Sequence, residues 1–363
     1  MYFGLSEDQT FFQENIIKYL SDACPLDNLR KIADGDKDLA AEINLGLVNL
    51  GVNAMIIPEE YGGLGLDLLF AAAVSQGLGY GLSPTPFVGS YVMAPIAILE
   101  AGNEEQKKNY LPKIADNSLN FGVCVSPFTG ARDNAKIQLA KANHKVSGNA
   151  LFAIDIENPS HVLLADEKGL LGIVEIANNN VTINKLTTID KTRTVAELIF
   201  ENARLDILEK SSQSKDIIKD VLDAGRIVLA ADTIGASQNM IDQAVAYAQE
   251  RKQFGRAIGT FQAVKHMCAE MAAELEPCYS LVWHAAHLYA DNTTEGKIMA
   301  SHAKSHTSEA GKMISKTAIE VHGGMGFTDL LGLHFWFKRI GFNRQLFGSP
   351  EQLREEAALL QFN

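Results

Sequence analysis

Residues 247–271, YAQERKQFGRAIGTFQAVKHMCAEM, decide how the chain reads. They spell the end of one helix, a short basic turn and the start of another. Ala244, Val245 and Ala248 extend an apolar stripe that closes at Phe254, and Gly255 is placed to terminate the helix. Thr260 is then the expected cap of a helix beginning at Phe261. On this reading Arg251, Lys252 and Arg256 gather at a helix C-terminus, where cations suit the dipole and can also meet an anion. A lone R-x-x-F describes any solvated helix end. The full string R-K-Q-F-G-R-x-I-G-x-F-Q is far rarer.

The 363 residues around this stretch suffice for two or three structural domains with a sizeable core. With 47% hydrophobic and 21% charged residues, the chain reads as globular and not disordered. A net charge of -12 argues against a general nucleic-acid surface. No apolar run approaches the length of a membrane span, and the opening MYFGLSEDQ moves straight into a helix start without a charged-then-apolar leader. Cys24, Cys124, Cys268 and Cys278 show neither C-x-x-C spacing nor a metal-ligand pattern, so buried free thiols in a reducing cytoplasm are expected. His284, His287, His302 and His306 fall at helical spacings, but without H-E-x-x-H they are expected to decorate ordinary helices and bind no metal. No G-x-S-x-G supports a serine hydrolase.

The fold class is α+β, in three parts. Residues 1–118 read as an N-terminal helical domain, opened by a capping-box pair, Ser6 and Gln9, ahead of Phe11, Phe12, Ile16, Tyr19 and Leu20 at helical spacing. Pro58 and Gly62-Gly63 break the pattern in a loop; Gly62, Gly63 and Gly65 neither complete G-x-G-x-x-G nor lie in a βαβ unit. From 119 to 208 the runs FGVCVS, AKIQLAKA, HVLLAD, LLGIVEI, NVTINKL and AELIFE, bounded by Gly, Asn, Asp and Pro, mark a middle β domain. Residues 209–363 return to helix, and Ile227, Val228, Leu229, Ile234 and Ile241 are dense enough for the middle of a four-helix bundle. Another helix, over roughly 296–321, ends in EVHGGMGFT at 320–328. Its glycines make an ordinary C-cap, and they also allow close backbone approach and an anion nest of consecutive amides.

The 251–262 string closely resembles the signature of the acyl-CoA dehydrogenase family. P-E-E-Y-G-G-x-G at 58–65, AGNEEQKKNYLP at 101–112 and the Gly323-Gly324 turn follow in family order, so the resemblance covers nearly the whole chain. It implies FAD as cofactor and an acyl-CoA thioester as substrate. The implied reaction is α,β-desaturation, as in β-oxidation, with electrons passed on to an electron-transfer flavoprotein. It also implies that Arg251, Gln253, Phe254 and Gln262, with Glu320, Gly323 and Gly324, contact the adenosine-diphosphate end of an FAD held by the neighbouring subunit. Glu320 stands where the family carries Gln, and a carboxylate near a diphosphate is repelled unless it meets a ribose hydroxyl or a cation.

Other positions depart from the family pattern. The family packs its β domain on the flavin ring through a Thr-Glu-Pro-x-x-Gly-Ser-type loop and a Trp-Ile-Thr/Ser string. Here the loop is VSPFTGA, with Val125 and Ala131 in place of hydroxyls, and the string is Phe152-Ala153-Ile154-Asp155. An unsatisfied polar flavin edge costs about 1–3 kcal/mol per group, so the chain's own ring site is expected to be weak. The family's base is a Glu that removes the α-proton from a dry pocket where burial raises its pKa. Its two known places correspond here to Gly348, in Phe347-Gly348-Ser349-Pro350, and Gly225, in Leu222-Asp223-Ala224-Gly225-Arg226. Asp223 and Glu351 are the nearest carboxylates and weak substitutes: on a helix Asp223 is turned about 200° from the required face, and Glu351 lies beyond Pro350. Both are expected on the surface.

Thr192-Arg193 and the 152–155 string resemble the short subunits of bacterial steroid and bile-acid side-chain acyl-CoA dehydrogenases. The resemblance implies a cytoplasmic α2β2 hetero-oligomer in which a homologous subunit holds the flavin ring and the catalytic Glu. Two other arrangements stay open: a flavin-free structural or acyl-CoA-binding subunit, and a self-sufficient homotetramer with a relocated base.

Overall fold

The computed structural model describes residues 4–130, 136–177, 180–214 and 216–362; Ala131 lies outside them. The first part of the chain forms α1 (Glu7–Ala23), α2 (Leu26–Ala33), α3 (Lys37–Asn49), α4 (Leu68–Tyr80), α5 (Ala94–Ala101) and α6 (Glu104–Ala115), with a π-helical turn at Phe87–Met93. The expected capping box starts α1: the Ser6 hydroxyl accepts the Gln9 amide, and the Gln9 side chain accepts the Ser6 N–H. Asn103 and Gln106 repeat the device at α6.

Next come β1 (Phe121–Cys124), the short helix α7 (Ser126–Thr129), β2 (Ile137–Ala140), β3 (Lys145–Ile154), β4 (His161–Ala165), β5 (Leu171–Glu175), β6 (Val181–Leu186), β7 (Val195–Arg204) and β8 (Asp206–Ile207). They pair in the order β6-β7-β3-β1-β4-β5-β8, with β2 also on β3; β1 and β4 run parallel. The central strand β3 is not among the runs that the sequence marks. Register shifts between Val146 and Gly148 and between Ala150 and Ala153 break its alternation. Val146, Ala150, Val162, Leu164, Leu198 and Phe200 form the apolar core of this sheet.

The remainder comprises α8 (Asp216–Glu250), a hairpin of β9 (Lys252–Gln253) and β10 (Arg256–Ala257), α9 (Gln262–Tyr289), α10 (Thr294–His322), α11 (Leu333–Gln345) and α12 (Pro350–Phe362). Contacts group the chain into two units. One, Ala40–Ala71 with Pro84–Gly225, holds the sheet; the other joins Met1–Leu39 and Ala72–Ser83 to Arg226–Asn363. Cys24, Cys124 and Cys278 are buried free thiols, whereas Cys268 is half-buried.

Within the second unit, the 72–83 segment lies directly against α8. A Cβ on Gly79 would collide with the backbone oxygen of Asp232, and one on Gly235 with that of Gln76. The Ser75 hydroxyl donates to the Val228 carbonyl at 2.6 Å across the same contact. Asp232, fully buried, accepts from Arg339 Nη1 at 3.2 Å and from Asn343 Nδ2 at 2.6 Å. Arg339 Nη2 reaches the Ser83 carbonyl at 3.0 Å, so α8, α11 and the end of the 72–83 segment share one ionic cluster. Lys304 of α10 is also fully buried, and its Nζ donates to the Asn343 carbonyl at 2.7 Å and the Ser308 hydroxyl at 3.2 Å. It thereby satisfies a carbonyl in the last turn of α11.

Gly235→Ala therefore forces two backbones apart and is expected to lower the unfolding free energy by at least about 2 kcal/mol in urea titration. A second expectation concerns pH. Burial, with repulsion from Arg226 and Arg344, pushes the Lys304 ammonium down to about 7 from 10.5. Above pH 7 the unfolded chain therefore binds a proton that the folded one releases, and stability rises with pH. The slope is up to about 1.4 kcal/mol per pH unit. The window to measure is pH 7 to 8.5, because burial raises the Cys24 and Cys278 thiols, and the loss of their protons on unfolding opposes the trend above it. Lys304→Met is expected to flatten the rise.

Candidate cofactor-binding site

The structure corrects the opening stretch. α8 ends at Glu250, not at Phe254. Residues 251–257 instead fold into the hairpin, with Gln253 opposite Arg256 and Lys252 opposite Ala257. Phe254 (φ 52) and Gly255 (φ 76) are both left-handed and form its two-residue turn. The Arg251 N–H still donates to the Tyr247 carbonyl at 2.8 Å, and the Ile258 N–H closes back onto the Arg251 carbonyl at 2.8 Å. Thr260 caps nothing: its hydroxyl donates to the Ala257 carbonyl at 2.7 Å, and α9 starts at Gln262 without a side-chain cap.

This changes what the motif presents. Phe254 is not the tail of an apolar stripe but the hairpin tip, 92% exposed. Arg251, Lys252, Gln253, Arg256 and Gln262 are exposed around it. The Phe254 ring meets Phe261 edge-on at 6.2 Å, and the Arg256 guanidinium lies 4.0 Å over the Phe261 ring. Cations, an amide and a solvent-facing ring thus occur together in a chain that is otherwise acidic.

The second segment follows α10, which ends at His322. Gly323 (φ 58) turns the chain into a short 3-10 turn, Gly323–Phe327. A Cβ at Gly323 or Gly324 would meet nothing within 4 Å, so this backbone is open to a ligand. Glu320 is exposed beside it. The two segments spring from helix ends that touch, since the Tyr247 and His322 rings stack at 4.5 Å. No local sequence signal announces that contact.

The two base positions are built differently. Gly348 has φ 115, and a Cβ there would sit 3.1 Å from Leu353 Cδ2 and 3.6 Å from Arg226 Nη2. Arg226 is buried; its Nε donates to the Phe347 carbonyl at 3.0 Å and its Nη2 pairs with Glu356 at 2.8 Å. A cation thus stands beside Gly348, one of the two positions that the sequence resemblance pairs with the family's base. Gly225 is buried within α8. Asp223, expected on the surface, is buried as well, because every residue of α8 from 221 to 237 is buried. Glu351 is exposed as expected and pairs with Arg344 at 3.0 Å. Hydrogen bonds from its own backbone N–H and the Ser349 hydroxyl, with Arg344, lower its carboxyl to about 2, far from a base tuned to neutral pH.

On the sheet-bearing unit, the positions that the sequence resemblance pairs with flavin-ring contacts hold apolar or already committed groups. Val125 and Ile154 are buried aliphatic side chains, and the Ser126 hydroxyl donates to the Leu151 carbonyl. Asp155 Oδ2 accepts the Gly89 N–H at 2.6 Å and the Ser90 N–H at 3.3 Å, which holds the start of the π-helical turn. This donor set does not fit a flavin ring. The exposed hairpin and the open glycine turn do fit the anionic, aromatic adenosine-diphosphate end.

Comparison with known proteins agrees with the fold. The N-terminal-domain model of acyl-CoA dehydrogenases matches residues 6–118, and the C-terminal-domain model matches residues 216–358. An acyl-CoA dehydrogenase of Bacillus subtilis is 32% identical over 76% of this chain and 78% of its own length. Acyl-CoA dehydrogenase IpdE2 of Mycolicibacterium smegmatis is 27% identical over 96% of this chain and 98% of its own. A solved variant of the Tcur3481-Tcur3483 steroid acyl-CoA dehydrogenase has a TM-score of 0.86 at 24% identity, covering 98% of both chains. The chain belongs to the acyl-CoA dehydrogenase family, whose members are FAD-dependent oxidoreductases. Among the described residues no helix is long and apolar enough to cross a membrane, and no group of three His, Cys, Asp or Glu side chains is placed to hold a metal ion.

Gly348→Glu tests the altered base position. The side chain must adopt a backbone conformation that costs about 1–3 kcal/mol and must displace Leu353. The expected result is a lower unfolding midpoint and no acyl-CoA oxidation by the chain alone in an artificial-acceptor assay. Turnover by this variant alone would show that Gly348 is the only missing part.

Proposed function

We propose that this chain is the base-lacking subunit of a hetero-oligomeric, FAD-dependent acyl-CoA dehydrogenase. In this reading its hairpin and glycine turn complete the adenosine-diphosphate end of an FAD held by a homologous subunit in an α2β2 assembly. The observation that carries it is an asymmetry. The residues that would serve a neighbour's FAD are exposed and unobstructed, while the positions for the chain's own flavin ring and base are filled by Val125, Ile154, Arg226 and Leu353.

Arg251 supplies a planar fork of donors to the diphosphate, and Gln253 and Gln262 supply neutral hydrogen bonds. Phe254 offers an exposed ring face, and the amides of Gly323 and Gly324 add backbone donors. Glu320 is suited to a ribose hydroxyl and not to phosphate. Bound FAD supplies the two-electron acceptor for α,β-desaturation of the thioester. The α-proton goes to a carboxylate of the partner subunit, and an electron-transfer flavoprotein collects the electrons. The similar steroid acyl-CoA dehydrogenase carries a paired name, Tcur3481-Tcur3483, which supports both the heteromer and a steroid-type acyl group as substrate. The cytoplasm is the compartment that suits four unpaired thiols.

Arg251→Ala in the co-purified complex tests this directly. Arg251 is exposed, so the fold and the assembly should persist while FAD affinity falls about tenfold or more. Unchanged FAD retention by the purified complex would sink the proposal.

A further inference from the structure

Two segments can grip one ligand only if the distance between them is held. The hairpin leaves the end of α8 just after Tyr247, whose carbonyl accepts the Arg251 N–H at 2.8 Å. The glycine turn leaves the end of α10 at His322, the residue before Gly323. Tyr247 and His322 lie at those two helix ends, with ring centroids 4.5 Å apart and planes 31° from parallel. His322 is only 4% exposed, with Nδ1 2.7 Å from the Ala318 carbonyl and a further bond to the Gln243 backbone on α8. Burial lowers the imidazole pKa, and the backbone hydrogen bonds to Ala318 and Gln243 act against that shift.

We infer that Tyr247 and His322 are positioning residues: their stacked rings set the spacing between the Arg251–Phe254 hairpin and the Gly323-Gly324 turn, and through it the affinity for the adenosine-diphosphate half of the cofactor. Neither ring needs to touch the ligand. The physical basis is that a contact made before binding removes the cost of ordering two exposed segments when the ligand arrives. Aromatic contacts hold their partners beyond simple burial, and for a two-segment grip that hold is felt at both ends.

The inference rests on reading this surface as the adenosine end of a shared FAD site, and the experiment separates the two. The FAD-stripped complex is titrated with ADP by calorimetry, and melting temperatures are recorded alongside. Tyr247→Phe and His322→Phe keep a ring in place; Tyr247→Leu and His322→Leu remove it while keeping apolar bulk. The Phe variants are expected to bind ADP with wild-type affinity, and each Leu variant about tenfold more weakly with a melting temperature close to its Phe counterpart. Should one Leu variant fail to assemble, the pair on the other helix repeats the comparison. Equal ADP affinity in Leu and Phe variants overturns the inference. So does a loss of ADP affinity matched by a fall in melting temperature, since that assigns the ring contact to stability alone. Arg251→Ala is the reference: weaker ADP binding there with unaffected Leu variants leaves the site standing without the positioning pair, whereas unchanged ADP binding in Arg251→Ala removes the site itself.

Discussion

The carboxylate of Asp232 has no water to turn to, and the helical unit is arranged around that fact. Its two oxygens are taken by Arg339 and Asn343 of α11, and Arg339 is in turn held by the Ser83 carbonyl. A buried pair like this adds little net energy over an apolar replacement, but removing one partner strands a charge and costs several kcal/mol. The cluster therefore specifies more than it stabilises: it fixes which face of α8 meets α11. The glycine contacts at Gly79 and Gly235 then leave α8 no room to slide. With α8 fixed, the positions of Gly225 and Arg226 near its start and of Tyr247 and the hairpin at its end follow.

The same constraint fixes what surrounds Gly348. Arg226 is buried, bonded to the Phe347 carbonyl and paired with Glu356, and it borders the Phe347-Gly348 turn. Arg344 adds a second guanidinium nearby, and burial together with Arg226 and Arg344 holds the Lys304 ammonium well below its usual value. A general base in this family must be a carboxylate whose pKa is raised by a dry pocket. A guanidinium such as Arg226, 3.6 Å from a Cβ on Gly348, does the opposite, because it favours the ionised carboxylate and weakens it as a base. Gly348, with a backbone that side chains avoid, completes the change. The exposed hairpin and the Gly323-Gly324 turn, proposed for the adenosine end, carry no such obstruction.

Much of this is legible from local signals. The Ser6–Gln9 box and the 294–322 helix depend on neighbours in sequence, and each folds as its residues suggest. The 251–257 hairpin reads as helix for a physical reason: the apolar stripe of α8 continues in composition to Phe254, and a Phe-Gly turn lacks the Asn or Asp that usually signals a left-handed pair. Bulges hide β3 from any alternation pattern. Asp223 defies the expectation of exposure because carboxylates are usually solvated, and only the packing of α8 shows otherwise. The Tyr247–His322 stack joins distant parts of the chain and has no sequence signature.

In the proposed assembly this chain lends its residues to a flavin that it does not itself hold. The most direct test is flavin quantified by visible absorption after denaturation, for the chain purified alone and for the complex with its homologous partner. A colourless chain alone, with about half a flavin per polypeptide in the complex, is the predicted result. One flavin per polypeptide in the chain purified alone would contradict it and would require a ring site that Val125, Ile154 and Asp155 do not provide.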